Sequence, residues 1–212
     1  MVAAMTRHVS DLVDGDRING LAYTDDDVFD QEMQRIFHDG WVFLGHTSEI
    51  PNQGDVVTRS IGRDPYLLLR DRTGTVRVLA NRCSHRGTRL VHDQERSIQS
   101  MQCIFHGWTF TLDGSLRGVP QPGGMISDRA DCGLDRPGQV DAYRGFVFAD
   151  VSGGAGSLDD HLGPGGRYLI DWACDLSPTG ELDIFAGWLG QESSSNWKMW
   201  AESDLDGYHL GI

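Results

Sequence analysis

A stripe of apolar residues near the start of the chain predicts an amphipathic helix over residues 24–40. Four members of this stripe stand at i, i+4, i+7 and i+8: Phe29, Met33, Ile36 and Phe37. Thr24 and Asp27 form a capping-box pattern at the start of the helix, where acidic residues also suit the helix dipole. Gly40 is a typical C-terminal stop. We expect this helix to be packed and to have a structural role.

From residue 41 to about residue 151 the pattern changes to short runs of β-forming residues between turn residues. The candidate strands are residues 55–61, 66–70, 76–80, 97–102, 109–111 and 146–149. Three dipeptides between them have turn composition: Pro51-Asn52, Thr73-Gly74 and Asp113-Gly114. The 27 glycines of the chain agree with many tight turns. This pattern predicts a compact, mainly antiparallel β domain within an α+β protein.

Three further segments follow the predicted β domain. Residues 150–166 are rich in Gly and are interpreted as a linker with a short helical turn at 157–162. Residues 182–189 are a candidate strand. Residues 193–209 are expected to form a helix rich in Trp and acidic residues.

The composition is that of an ordinary globular protein, with 39% apolar and 23% charged residues in a chain of 212. Asp and Glu outnumber Lys and Arg by 31 to 18, which gives a formal net charge of −13. An acidic surface repels phosphate backbones and anionic membranes, so we expect no nucleic-acid and no membrane partner. No apolar run approaches the roughly 20 residues that span a bilayer, and the N-terminus lacks the apolar core of a secretory signal. We therefore expect a cytoplasmic protein.

The four cysteines carry the most specific signal, because cysteines in a cytoplasmic chain favour metal binding over disulfides. Cys83 and His85 form a Cys-x-His pair, and after 17 residues Cys103 and His106 form a Cys-x-x-His pair. Each pair offers one thiolate and one imidazole on a short loop that follows a predicted strand. Two such loops can present two sulfurs to one iron and two nitrogens to another, which is the ligation of a Rieske [2Fe–2S] centre.

Three other interpretations of these four residues remain open. A structural zinc site also takes two Cys and two His, although zinc fingers usually pair Cys with Cys and His with His. A catalytic Cys–His pair leaves the second pair unexplained, and the third alternative is a chance arrangement. Cys132 and Cys174 are interpreted as small buried hydrophobic residues. Trp108 is expected to pack beneath the cluster.

The segments Cys-Ser-His-Arg-Gly at 83–87 and Cys-Ile-Phe-His-Gly-Trp at 103–108 resemble the ligand loops of the alpha (large, catalytic) subunits of Rieske non-haem iron aromatic-ring-hydroxylating oxygenases. The segment at 41–55, which begins Trp-Val-Phe-Leu-Gly, is similar as well. The family usually has Pro-Tyr where this chain has Ile104-Phe105, and every ligand position is kept. Respiratory Rieske proteins carry an extra Cys in each loop. This chain does not, and fewer polar donors near the sulfurs indicate a cluster of lower potential.

The segment at 196–209, which begins Asn-Trp-Lys, resembles the start of the catalytic domain in the same family. There a helix supplies an Asp and, three residues later, the first His of a mononuclear iron site, and Asp206 and His209 match these positions. An i, i+3 spacing puts both side chains on one helical face, where the carboxylate can orient the imidazole. The iron also needs a second His and a carboxylate, and in the family both follow beyond the position of Ile212. The resemblance therefore implies an N-terminal fragment with an incomplete mononuclear iron site.

The resemblance also implies a domain order and a function. Residues 1–40 would be an N-terminal helical segment, 41–160 the Rieske domain and 165–212 the start of a helix-grip catalytic domain. The implied function is that of a terminal oxygenase component. A reductase or ferredoxin supplies electrons to the cluster, and the cluster feeds a mononuclear Fe(II) that activates O2 to hydroxylate an aromatic compound.

The family further implies a homotrimeric core, in which electrons pass from His106 of one subunit through Asp206 of its neighbour to His209. A small beta subunit is part of some family assemblies, and the sequence does not decide whether it is needed here. The short gap between Ser203 and Asp206 resembles that of members which act on aromatic carboxylic acids.

Two other functions stay open at this point. A stand-alone Rieske ferredoxin would carry electrons but would need neither the helix at 24–40 nor the segment at 196–209. A zinc-stabilised binding module would have no redox role. The brown colour of an iron–sulfur cluster, bleached on reduction, separates the zinc module from the other two.

Overall fold

A computed structural model of the chain describes residues 8–121, 128–184, 193–205 and 207. The helical segments among these residues are 3₁₀ turns at Val9–Leu12, Thr47–Glu49 and Arg129–Cys132, α1 (Leu21–Thr24), α2 (Asp26–Glu32), a π-helix (Met33–His38), α3 (Leu158–Asp175) and α4 (Trp197–Leu205). The described strands are β1 (Val13–Asp14), β2 (Arg17–Ile18), β3 (Trp41–His46), β4 (Val56–Ile61), β5 (Asp64–Arg70), β6 (Val76–Ala80), β7 (Met101–Gln102), β8 (Thr109–Phe110), β9 (Leu116–Gly118), β10 (Gln139–Tyr143) and β11 (Phe146–Asp150). This is the α+β fold class that the sequence predicts.

Contacts divide the chain into two units. The first unit consists of Met1–Gln34 and Gly187–Ile212. It therefore combines residues from the two segments, 24–40 and 193–209, that the sequence predicts to be helical. It holds the β1–β2 hairpin and the helices α1, α2 and α4. The second unit, Arg35–Ala186, contains the remaining strands and α3.

Three antiparallel sheets build the second unit, with strand orders β4-β5-β6, β10-β11-β3 and β7-β8-β9. The β4-β5-β6 sheet has apolar residues on both faces, because Leu67, Leu68 and Leu69 of β5 are all fully buried. Side chains alternate along a strand, so Leu67 and Leu69 enter one apolar cluster and Leu68 enters another. The cluster that contains Leu67 also contains Cys83 and Cys103. The predicted cysteine loops therefore rest on the main core of this unit.

The predicted helix at 24–40 is present in a modified form. Asp25, rather than Thr24, is the N-cap of α2, and its carboxylate accepts from the N–H groups of Asp27 and Val28. After Glu32 the backbone continues as a π-helix to His38, which shifts the register of the apolar stripe. The stripe prediction is consequently wrong for Ile36, which is 45% exposed, whereas Val28 is buried.

Other elements differ from the sequence prediction in length. Only Met101–Gln102 of the candidate strand at 97–102 is a strand, since Ser97 has a left-handed φ of 54°. The segment interpreted as a linker is largely helical, because Ser157 caps α3 and the helix runs on to Asp175 across a kink at Gly163. Residues 185–189 of the candidate strand at 182–189 lie outside the described residues, and residues 182–184 form no strand. Within the described part of the chain, no helix is both long and apolar enough to cross a bilayer.

Candidate metal centre

The two loops that carry the predicted ligands, residues 83–88 and 103–108, have the same backbone turn. The first loop follows β6, and the second joins β7 to β8. In the first loop the N–H of Cys83 donates to the carbonyl of Thr88, and the N–H of Gly87 donates to the carbonyl of Cys83, each at 2.8 Å. These two bonds close a tight six-residue turn with the cysteine at its base.

The second loop repeats both bonds. The N–H of Cys103 donates to the carbonyl of Trp108 at 2.8 Å, and the N–H of Gly107 donates to the carbonyl of Cys103 at 2.9 Å. Gly87 and Gly107 occupy the same place in their turns, with left-handed φ angles of 72° and 70°. A residue with a Cβ is strained in this conformation, which explains a glycine at both positions.

The two turns bring the four predicted ligands together as a pair of thiols and a pair of imidazoles. Cys83 and Cys103 are each 2% exposed, and each thiol shifts the pKa of the other. The rings of His85 and His106 contact each other edge to face, with 4.6 Å between their centroids. The two pairs are separated by 17 residues in the sequence, and they come together because both loops pack on one apolar core.

The surroundings of the two thiols are not equivalent. Burial raises the pKa of Cys83, and the adjacent Cys103 adds to this effect. Burial alone would raise the pKa of Cys103 as well. Hydrogen bonds from the N–H groups of Phe105 and His106, and from the Cys83 thiol and the Thr88 hydroxyl, outweigh burial and lower that pKa. The surroundings therefore favour the thiolate, which is the form that binds metal, at Cys103 and disfavour it at Cys83.

The surroundings of His85 favour the neutral form of its imidazole. Desolvation lowers its pKa, and the neighbouring His106 and Arg86 lower it further. Its Nδ1 atom is buried and has no hydrogen-bond partner. Buried polar atoms without a partner are rare in native proteins and require an explanation. A metal ion bound at Nδ1 supplies one, because neutral imidazole is a common metal ligand.

The donor set has the pairing of a two-iron cluster. A structural zinc site places all four of its ligands around one ion. A Rieske cluster takes its protein ligands two by two, sulfur on one iron and nitrogen on the other. The paired thiols and paired imidazoles match that requirement.

Sequence reasoning missed two residues that support the site. Asn81 is fully buried directly after β6, and its side chain accepts from the N–H groups of Leu90 and Val91 and donates to the carbonyl of Val91 at 2.7 Å. It thereby fixes the chain that leaves the first loop. The Thr88 hydroxyl is a polar donor to a cysteine sulfur, although the sequence analysis expected few such donors. An asparagine between a strand and the first cysteine was the available signal for Asn81.

The tip of the second loop is exposed and apolar. Ile104 is 78% exposed and Phe105 is 68% exposed. The Phe105 ring contacts the edge of the exposed His106 ring, with 4.5 Å between centroids. Of the remaining cysteines, Cys174 is buried as predicted, whereas Cys132 is half-buried.

The Asn-Trp-Lys motif lies in the first unit and is held by residues from α1 and α2. Both oxygens of the buried Glu32 carboxylate accept from Lys198 Nζ, at 2.6 and 2.7 Å, and Trp197 Nε1 donates to Glu32 at 3.0 Å. The Asn196 amide donates to the carbonyl of Tyr23 at 3.1 Å. These contacts anchor the start of α4.

The two predicted residues of the mononuclear iron site, Asp206 and His209, lie outside the described residues. The predicted C-terminal helix at 193–209 is confirmed over α4, Trp197–Leu205, whereas residues 193–196 are not helical.

Comparison with known proteins identifies the domain that carries the two loops. Residues 40–133 match the Rieske [2Fe-2S] domain family. The anthranilate 1,2-dioxygenase large subunit of Acinetobacter baylyi is 38% identical over 191 residues, which are 89% of this chain and 40% of that protein. The 2-halobenzoate 1,2-dioxygenase large subunit of Burkholderia cepacia is 34% identical over 221 residues, or 99% of this chain and 47% of that protein. The chain thus spans less than half the length of these curated relatives.

Solved structures give the same result. Naphthalene 1,2-dioxygenase from Rhodococcus sp. superposes with a TM-score of 0.77 at 34% identity, over 89% of this chain and 43% of that chain. The quaternary ammonium Rieske monooxygenase CntA superposes with a TM-score of 0.79 at 30% identity, over 90% of this chain and 55% of that chain. These relatives are oxygenases and not stand-alone electron carriers. Residues 40–133 therefore form a Rieske [2Fe-2S] domain, and the chain is similar to large (alpha) subunits of ring-hydroxylating dioxygenases.

Proposed function

We propose that the second unit binds its [2Fe–2S] cluster through Cys83 and Cys103 on one iron and His85 and His106 on the other. The observation that carries this assignment is the pairing of thiols and imidazoles by two equivalent turns, with the Nδ1 atom of His85 buried and unpartnered. When bound, such a cluster accepts and releases one electron at a time. The loops supply hydrogen bonds to sulfur, and the core beneath them keeps water from the sulfur side.

For the complete protein we propose the terminal oxygenase component of a ring-hydroxylating dioxygenase. Residues 1–40, 41–160 and 165–212 would then be the helical segment, the Rieske domain and the start of the catalytic domain. His209 would be one ligand of a mononuclear Fe(II), and Asp206 would link it to His106 of a neighbouring subunit in a homotrimeric core. The electron donor would be a flavin reductase, directly or through a ferredoxin, and some assemblies would include a small beta subunit.

The names of the relatives favour an aromatic carboxylic acid as the substrate. Anthranilate and 2-halobenzoate dioxygenase subunits are 38% and 34% identical to this chain, and the toluate 1,2-dioxygenase alpha subunit of Pseudomonas putida is 34% identical. All three compounds carry a carboxylate on a benzene ring. The short gap between Ser203 and Asp206 agrees with this class.

An EPR spectrum of the purified chain before and after dithionite reduction tests the cluster. We expect a rhombic Rieske signal on reduction, with two irons and two sulfides per chain. Cys83→Ala and His106→Ala should each lose the colour and the signal, since each removes one of four ligands. Cys132→Ser is the matched control, because Cys132 is outside the ligand set and should keep both. A silent spectrum with one zinc per chain would contradict the assignment.

A test of the proposed substrate class requires the complete oxygenase with its reductase. Aromatic carboxylates should be hydroxylated, and the corresponding hydrocarbons without a carboxylate should react more slowly. Equal or faster turnover of the hydrocarbons would reject the carboxylate class while leaving the cluster assignment in place.

A further inference from the structure

The last residue of each ligand turn reaches across to the opposite turn. Thr88 ends the first turn, and its side chain helps to lower the pKa of Cys103. Trp108 ends the second turn, and its indole lies on the imidazole of His85. The last residue of each turn therefore acts on a predicted ligand of the other turn, and the aromatic contact has the better-defined geometry.

The contact between Trp108 and His85 has the geometry of parallel stacking. The ring centroids are 4.8 Å apart, and the ring planes differ by 9°. This separation is within the range of offset-stacked aromatic pairs. Trp108 is itself half-buried against the apolar cluster that contains Cys83 and Cys103. The apolar cluster fixes the position of the Trp108 indole, which can therefore support the imidazole of His85.

His85 has no polar contact that could take this role. A metal-bound imidazole normally donates its second N–H to a carboxylate, carbonyl or water, and this bond fixes the orientation of the ring. Among the described residues, no hydrogen bond reaches either ring nitrogen of His85, and the ring contacts are those with Trp108 and His106. Within the described part of the chain, the contacts that restrain the plane of the His85 ring are therefore aromatic.

The second imidazole is held differently. His106 meets the edges of His85 and Phe105, at interplanar angles of 72° and 88°, and is exposed. No ring is stacked on its face among the described residues. The two histidines of the site thus differ in how firmly their planes are set.

We propose that Trp108 is the positioning residue of the His85 ligand: the stacked indole fixes the ring plane of one of the two cluster imidazoles, whereas the other has no such platform among the described residues. The role needs an aromatic face and not the indole N–H, because Nε1 of Trp108 makes no hydrogen bond within the described part of the chain. A phenylalanine at this position should therefore keep much of the effect, and an aliphatic residue of similar bulk should lose it. This inference rests on the proposed cluster ligation.

The test compares Trp108→Leu with Trp108→Phe by nitrogen ENDOR spectroscopy of the reduced cluster, which reports how each imidazole is oriented on its iron. Iron and sulfide content is measured on the same samples. Trp172→Leu, on the exposed face of α3, controls for the loss of any tryptophan. We expect Trp108→Leu to shift or broaden one of the two nitrogen couplings and to leave the other unchanged. Trp108→Phe and Trp172→Leu should retain both couplings.

Unchanged couplings in Trp108→Leu would overturn the proposal, and so would a Trp108→Phe spectrum as altered as that of Trp108→Leu. If Trp108→Leu is folded but binds no cluster, Trp108→Met takes its place, since it fills the volume without a ring. Cluster loss in both aliphatic variants with retention in Trp108→Phe supports the role, and loss in Trp108→Phe as well refutes it. A wild-type chain without a Rieske signal would instead contradict the cluster assignment itself.

Discussion

At the scale of single residues, Asn81 is the polar side chain that holds the ligand region to the core. It is fully buried, and its three side-chain hydrogen bonds go to the backbone of Leu90 and Val91. Its own N–H donates to the carbonyl of Pro65 at 2.8 Å. Asn81 therefore connects the residues that follow the first ligand turn to the β4-β5-β6 sheet.

Replacing Asn81 tests this role. Asn81→Ala leaves two backbone N–H groups and one carbonyl buried without partners, which should lower the free energy of unfolding by about 3 kcal/mol. Asn81→Asp is a second variant: it keeps the acceptor, but it replaces the donor to Val91 with a buried carboxylate that faces a carbonyl oxygen. Urea unfolding should show a loss of stability for both variants, together with faster cluster release. Equal stability of Asn81→Ala and the wild type would show that the bonds are dispensable.

At the scale of elements, the two ligand turns share a backbone but differ in their surroundings. A Cβ added at Gly87 would meet no atom within 4 Å, whereas one at Gly107 would lie 2.9 Å from Cγ of Pro120. Both positions have a left-handed φ. The second turn is thus constrained by its neighbour as well as by its own conformation.

Alanine at each glycine separates these two effects. Gly87→Ala should cost about 1–2 kcal/mol through backbone strain alone. Gly107→Ala should cost a further 1–3 kcal/mol or so, because the Pro120 ring must move. Chemical denaturation of both variants measures the difference. A Gly87→Ala variant that is equally or more destabilised would contradict the assigned role of Pro120.

The β5–β6 turn provides an element whose contribution depends on pH. Burial alone would raise the pKa of Asp71, but hydrogen bonds from Thr73, Arg77 and the N–H of Thr75 outweigh it and lower the pKa to about 2. The native state therefore binds a proton at Asp71 less readily than the unfolded chain does. The stabilisation is complete above the usual pKa of 3.8 and is lost as the pH falls from there towards 2.

The prediction for this turn concerns the difference in unfolding free energy between Asp71→Asn and the wild type. At pH 6 Asp71→Asn should be less stable than the wild type by about 2 kcal/mol, and the gap should narrow steadily between pH 4 and pH 2. Because other carboxylates also titrate in this range, the quantity to follow is the difference in unfolding free energy. A gap that is independent of pH would show that the charge of Asp71 does not stabilise the turn.

The local sequence pattern was sufficient to predict much of the fold and the two ligand loops. The strands β4, β5 and β6 follow from their apolar runs and turn residues, and the Cys-x-His and Cys-x-x-His pairs stand out by spacing alone. The π-helix at Met33–His38 and the stack of Trp108 on His85 could not be predicted, because both depend on packing between residues distant in sequence. For the same reason the pairing of β3 with β11 was not predicted.

At the scale of the whole molecule, the first unit is closed by contacts between residues far apart in the sequence. Glu32 on α2 and Lys198 on α4 are separated by 166 positions, and both side chains are largely buried. Burying two charges is costly unless they remain paired. This pair therefore fixes where α4 begins relative to α2.

Removing one member of the pair should cost more than removing both. Lys198→Met leaves the Glu32 carboxylate buried without its cation and should destabilise the chain by about 3 kcal/mol. The double variant Glu32→Met with Lys198→Met should recover most of that loss. Thermal unfolding of the two single variants and the double variant completes the cycle, and additive losses would argue against a buried pair.

The pairing of β3 with β11 also has a consequence for biosynthesis. The two strands are about a hundred residues apart in the sequence, so at 5–20 residues per second a ribosome needs roughly 5–20 s to deliver β11 after β3. Both ligand turns are synthesised within this interval, while β3 still lacks the strand that its backbone pairs with. The nascent chain thus contains all four of its cluster cysteines and histidines before the β10-β11-β3 sheet can close.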